Sequence, residues 1–368
     1  MRHLLPALVL LLPLTLAAAD PPGDRPLVQV AILLDDSGSM QGLLRQARAQ
    51  IWEIVGQVSA MRRGGLQPRV QVALYHYGDI PALAKPLVGL TDDLDEVSRV
   101  LFSINGGGGE ERCGQVILNS TAQLSWSQRR EDLKLVLIAG NEPFTQGPVD
   151  WRTALQAATG RGLHVITIHC GPDREGRDGS WAEAAVLGGG RYLCIEQDRA
   201  LPAIIAPQDA DLRRLNDELN STYLPYGGIG QARLRVQAEQ DGNALASDPK
   251  AFSSRSGVKS SGNYRNSTWD LVDALRDEPA RLDGLKDEDL PPALRGLDRA
   301  GQRARIEAAA AKRRTVQQEI VRLVGERERF VAAEEARLGA AGETYGSAAR
   351  KAIGDLAATA GWTAAPDR

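Results

Sequence analysis

The chain has 368 residues, 43% of them apolar, with a formal net charge of −3 and 5% aromatic residues. That length holds two domains or one domain with a long appendage, and the apolar fraction supports a full core. A nearly neutral, aromatic-poor chain has neither the basic field nor the stacking platforms of a nucleic-acid binder, so no nucleic-acid partner is expected.

Met1-Arg2-His3 is a short basic start, Leu4 to Leu16 is apolar, and Ala17-Ala18-Ala19 supplies small residues at a cleavage position. This order reads as a signal peptide over residues 1–19. The apolar stretch is short for a membrane span and contains Pro6 and Pro13. No later segment reads as a span. The expectation is an exported protein, periplasmic or secreted, and the Ala-, Arg- and Leu-rich style points to a bacterial source.

Leu27-Val28-Gln29-Val30-Ala31-Ile32-Leu33-Leu34 predicts a strand buried on both faces of a parallel sheet. It closes on Asp35-Asp36-Ser37-Gly38-Ser39. Val70–Tyr77, Leu133–Ala139, His164–His169 and Arg191–Ile195 read as further strands. Met40–Met61, Asp93–Ser103, Gly114–Leu124, Trp151–Thr159 and Ser180–Leu187 carry apolar residues at helical spacing. The alternation predicts an α/β fold, a doubly wound and mostly parallel sheet with helices on both faces. Ligands bind such sheets at the carboxyl ends of the strands, where Asp35 sits.

After Ile195 the strand signals stop and an all-helical region is expected. Asp209–Asn220 and Gln231–Gln240 read as helices, polar Asp248–Asn266 as a loop or linker, and Ser267–Leu275 as the start of a short helix. Gln302–Leu338 is the longest helical pattern. Ile306, Ala309, Val316, Ile320, Leu323 and Phe330 fall at heptad spacing, with Arg313 and Arg327 interrupting the seam. Such a helix either packs back on its own protein or offers a coiled-coil face to a partner. Ser347–Ala360 reads as a last helix.

Asp35, Ser37 and Ser39 offer one carboxylate and two hydroxyls from alternate positions of a tight loop, the oxygen ligands that hard divalent cations take. Of such cations, Mg²⁺ is expected ahead of Ca²⁺ or Mn²⁺. The alternative is a remnant loop whose polar groups bond backbone amides, Ser39 capping the next helix. Cys113 and Cys170 both fall at the carboxyl-end face. They form a disulfide tying two site loops, leaving Cys194 a buried thiol in its strand, or they remain separate thiols.

Asp-x-Ser-x-Ser after a buried strand resembles the metal-ion-dependent adhesion site of von Willebrand factor type A domains. The likeness spans about Leu27 to Ile195. A narrower likeness, to exported bacterial proteins with this domain and a helical C-terminal region, rests on Val72–Asp79, Cys113–Ile117, Ile138–Asp150 and Asn266–Val272. The family's second loop usually gives a Thr and its third an Asp. Here the second loop is the glycine turn Gly106–Gly109 with Glu110, Glu111 and Cys113 after it, and the third is Gly140-Asn141-Glu142-Pro143; Glu110-Glu111 and, by its spacing from Pro143, Gly140 stand in those places. The resemblance thus implies a candidate metal set of Asp35, Ser37, Ser39, Glu110, Glu111 and Glu142, with Asn141 a candidate partner contact. The resemblance implies a type A domain over residues 20–200 with a metal site on top. The usual role is non-enzymatic protein binding, in which a partner carboxylate completes the cation's coordination. A helical extension at 201–247, a linker at 248–266, a helical region at 267–340 and a tail at 341–368 would follow. Two other functions stay open: an envelope scaffold working through its C-terminal helices, and a hydrolase using metal-activated water.

Overall fold

The computed structural model describes residues 25–78, 85–107, 109–195, 204–338 and 345–363. The expected signal peptide, residues 1–19, lies outside them. The N-terminal half runs β1 (Leu27–Leu34), α1 (Gln41–Ala60), β2 (Arg69–His76), β3 (Val88–Thr91), α2 (Leu94–Ser103), α3 (Cys113–Gln123), β4 (Leu133–Gly140), α4 (Trp151–Gly160), β5 (His164–Cys170), α5 (Asp173–Asp178), α6 (Trp181–Leu187) and β6 (Tyr192–Ile195). The strands form one sheet in the order β3-β2-β1-β4-β5-β6, parallel except at the β3 edge. The doubly wound α/β fold expected from the alternation is therefore present. β3, a four-residue strand holding Gly89, is too short to signal itself, and the charged α5 has no apolar period.

β1 and β4 lie centrally and are buried on both faces, which is why their sequences are continuous apolar runs. Val30, Ile32 and Leu34 pack against Leu44, Ile51 and Val55 of α1, while Ala31 and Leu33 face Val116, Ile117 and Leu155 of α3 and α4 on the other side.

The C-terminal half is helical: α7 (Asp209–Asn220), α8 (Gly230–Ser247), α9 (Pro249–Lys259), α10 (Leu271–Asp277), α11 (Arg299–Leu338) and α12 (Tyr345–Thr359). The linker expected at 248–266 is corrected, because α9 occupies most of it. Asp248 caps that helix, accepting from Ala251 N at 2.8 Å, and Pro249 sits in its first turn. Its polar residues are buried rather than solvated. Arg255 donates to Asp95 at 2.7 Å and Asp241 at 2.6 Å and lies over the Trp52 ring, and Lys259 donates to Asp241 at 2.7 Å. Polarity made α9 look like a linker; its Arg255 is a buried ionic contact between the two halves of the chain.

α11 packs along α7, α9 and α10 of its own chain. Its seam residues Ile306, Val316, Ile320 and Leu323 are buried. Arg313 and Arg327 stay in this seam because Asp270 and Asp209 meet them there. The seam is internal, not a coiled-coil face toward a partner. α12 returns to the sheet, adding Ala349, Ile353, Leu356 and Trp362 to the core on the α1 side.

Candidate functional site

At the carboxyl end of the sheet the backbone pairing runs one step past the strands. Asp35 N donates to Ala139 O at 3.0 Å and Tyr77 N to Leu34 O at 3.0 Å. Gly140 pairs with His169, and His169 with Cys194. Tyr77, Asp35, Gly140, His169 and Cys194 thus form one row across the sheet, side by side in register.

Asp35 is fully buried. Its Oδ1 accepts from Ser37 N at 2.8 Å, which folds the loop back on itself. Ser37 and Ser39 hydroxyls lie 3.1 Å apart in the turn before α1, and Ser39 exchanges hydrogen bonds with the Asn141 amide at 3.3–3.5 Å. Ser39 therefore faces the third loop instead of capping α1. Asp36 is held by His76 Nδ1 at 2.5 Å, and its carbonyl accepts from Gly107 N at 2.6 Å. Gly106 reaches this contact with φ +79°, the left-handed region that favours glycine. The glycine turn is needed to bring the second loop onto the first.

The second loop divides its two acids. Glu110 is exposed and turns away to Arg112, 2.6 Å distant. Glu111 is 3% exposed and hydrogen-bonds to the Asp35 carboxyl and to Ser37. Its backbone N donates to Gln146 Oε1 at 3.1 Å, and Gln146 Nε2 reaches Glu142 at 3.3 Å, which couples the second and third loops. Glu142 itself is exposed. Of the predicted set, the fold gathers Asp35, Ser37, Ser39 and Glu111, sets Asn141 and Glu142 on the rim and leaves Glu110 outside.

Electrostatics follow from burial. Desolvation, then the hydrogen bond and repulsion from Asp35, push the Glu111 carboxyl up to about 9, and desolvation raises Asp35 as well. Asp35 Oδ2 and Glu111 Oε2 are buried without a hydrogen-bond partner. Two carboxyls this close share either a proton or a cation. The oxygen-only donor set fits a hard divalent ion: Asp35 and Glu111 as carboxylates, Ser37 and Ser39 as hydroxyls. Among the described residues no group of three or more His, Cys, Asp or Glu gathers to hold a metal.

The expected disulfide between Cys113 and Cys170 is corrected: the two are not joined, because the sheet separates them. Cys113 packs with Tyr77 and Trp181, whereas Cys170 packs with Ile168 and Ile195 in the core on the sheet's opposite face. Cys194, expected to be buried, is partly exposed and donates to Gly171 O at 3.0 Å.

Sequence reasoning did not single out Tyr77 and Trp181. Both wall the space above Gly140, and Trp181 Nε1 anchors the third loop by donating to Glu142 O at 2.8 Å. The available signal was the missing acid at position 140, which implies a bulky neighbour in register. His169 is 1% exposed with both ring nitrogens unpartnered, and burial lowers its pKa.

Residues 29–179 match the family model described as von Willebrand factor type A domain. Similar solved structures include an aerotolerance-related membrane protein from Bacteroides fragilis, 19% identical, covering 46% of this chain and 92% of that one with a TM-score of 0.34. The SpRpn10 VWA domain is 15% identical, with coverage of 48% and 91% and a TM-score of 0.35. Proximal thread matrix protein 1 of the mussel byssus, described with a zinc-occupied MIDAS motif, is 14% identical, with coverage of 46% and 41% and a TM-score of 0.36. No curated protein matches this chain.

Proposed function

Residues 29–179 form a von Willebrand factor type A domain, and on that footing we propose that the chain is an exported, non-enzymatic protein-binding module. Its binding face is the carboxyl end of the sheet. A divalent cation, Mg²⁺ first, is held there by Asp35, Ser37, Ser39 and Glu111, with Asn141 and Glu142 on the rim toward the partner. Bound, the cation supplies an electrophilic centre for a partner's oxygen. The chain's own residues do the rest. Asp35 and Glu111 bring the negative charge, the serine turn fixes the hydroxyls, and Gln146 holds the second and third loops together.

The observation that carries this reading is that two interacting carboxyls, Asp35 and Glu111, each keep one buried oxygen, Oδ2 and Oε2, without a hydrogen-bond partner beside the Ser37 side chain. A remnant loop would have bonded these oxygens to backbone amides. The scaffold reading has less support, since the apolar seam of α11 is covered by the chain itself. Among the described residues no helix is long and apolar enough to cross a membrane.

Isothermal titration of the full chain with Mg²⁺, Ca²⁺ and Mn²⁺ tests the cation, with Asp35→Ala as the control. Binding lost in the variant supports the reading; no binding, or equal binding in both, defeats it. Export is tested by the mass of the mature protein, whose expected first residue is Asp20.

A further inference from the structure

Resting on that reading, the bonds of Gln146 explain which of two adjacent acids enters the site. Glu110 and Glu111 differ by one position, so a one-residue slip of their segment would exchange them. Gly107 N on Asp36 O fixes the chain before them, and α3, starting at Cys113, fixes it after them. Between these ends Gln146 Oε1 accepts from Glu111 N at 3.1 Å, while Gln146 Nε2 reaches Glu142 Oε2 at 3.3 Å. An amide oxygen on a donor and an amide nitrogen on a carboxylate leave the side chain one orientation. Gln146 is itself anchored. Its backbone N donates to Pro143 O at 3.3 Å, and Phe144 N donates to Gly179 O at 2.9 Å. Trp181 Nε1 holds Glu142 O, and the buried Phe144 ring stands edge-on to Trp181 at 4.9 Å. Gly147, at φ +90°, lies where a Cβ would come within 2.8 Å of Arg112 Cγ, so the second and third loops touch closely beside this bond.

We propose that Gln146 is the positioning residue of this site: by accepting from the Glu111 amide it places Glu111, and not Glu110, under the loops as the second carboxylate, and cation affinity depends on it although it is no ligand itself. The third loop thereby acts through the second. Position 140 carries no side chain, but Gln146, further along the same loop, takes hold of the loop that does bring an acid. Groups that orient a metal ligand typically carry about 10- to 100-fold in affinity.

Two measurements on the full chain test this: Mn²⁺ binding by titration calorimetry, and exchange of the Glu111 amide hydrogen in the metal-free protein by NMR. Gln146→Met keeps the length and removes both bonds. It is expected to weaken Mn²⁺ by about tenfold or more and to speed that exchange. Gln146→Glu/Glu142→Gln keeps an oxygen on the Glu111 amide, reverses the second bond and leaves the net charge unchanged, so affinity and exchange are expected at the wild-type level. In a Glu111→Gln background Gln146→Met is expected to cost no further affinity, because it acts through Glu111. Melting temperatures show whether each variant is folded; where Gln146→Met melts early, the charge-neutral swap decides, and lost affinity in it overturns the proposal. Unchanged Mn²⁺ affinity in Gln146→Met, or an equal loss with and without Glu111, overturns the proposal but leaves the cation site standing. A wild type that binds no Mn²⁺ overturns the cation reading, and Glu111 exchange unchanged in Gln146→Met then overturns the role of Gln146 as well.

Discussion

Arg313 and Asp270 form a two-pronged buried ion pair, with Nη1 donating to Oδ2 at 2.7 Å and Nη2 to Oδ1 at 3.1 Å. Arg313 is 4% exposed and Asp270 fully buried. The guanidinium also donates to the Thr222 carbonyl at 2.8 Å and lies 4.1 Å from the Tyr223 ring centroid. Asp270 in turn caps α10 by accepting from Asp273 N at 3.1 Å, and it accepts from Leu224 N at 2.7 Å. One salt bridge thus joins α11, α10 and the segment after α7.

Arg313→Met leaves the Asp270 charge buried without its partner. Breaking a buried pair from one side costs about 3–5 kcal/mol. Urea denaturation should show a loss in that range; a loss under about 1 kcal/mol, the scale of an exposed pair, would count against the pair's role in docking α11.

α12 belongs to the sheet's core, since Ile353 and Trp362 are buried there and Arg62 and Thr363 pair through their backbones. Removing residues 345–363 should therefore destabilise the sheet domain, not merely trim a tail. Ile353→Ala alone should cost about 2–5 kcal/mol. A chain ending at residue 338 that melts at the wild-type temperature would refute this.

Burial raises the pKa of Asp241, but Lys259 and Arg255 outweigh that and hold its carboxyl well below the usual range. A carboxyl whose folded pKa is depressed adds stability above its unfolded pKa, about 4. That stability is lost as the pH falls below that value toward the folded pKa. Stability measured against pH should therefore decline on the acid side, and more shallowly in Asp241→Asn, which will be less stable at neutral pH. Parallel acid limbs in the two proteins would falsify the assignment.

Thiol labelling distinguishes the cysteines. Burial raises the pKa of Cys113 and Cys170 far above the ordinary thiol value. Cys194 should react first in the native protein and the other two only on unfolding, giving three thiols without reductant. A denatured count of one would restore the disulfide.

The strands and helices of the N-terminal half were legible because burial on two faces demands apolar runs and burial on one face demands a helical stripe. α9 was not legible. Its Arg255 and Lys259 read as solvated, and only the carboxylates of Asp95 and Asp241, distant in sequence, make their burial affordable. The arginines of α11 misled less, because the surrounding heptad spacing already implied packing.

From sequence alone, the chain determined its doubly wound sheet and the position of its candidate site, because an apolar run ending in Asp35, Ser37 and Ser39 puts polar oxygens at a strand's carboxyl end. Tertiary structure alone decided which acids join them. Glu110 and Glu111 are neighbours in sequence, yet one reaches Arg112 and solvent while the other is driven under the loops against Asp35. Gly140 is likewise explained only by the Tyr77 hydroxyl across the sheet. Side-chain direction in a loop depends on what volume its neighbours leave free, and that volume exists only once the strands are in register.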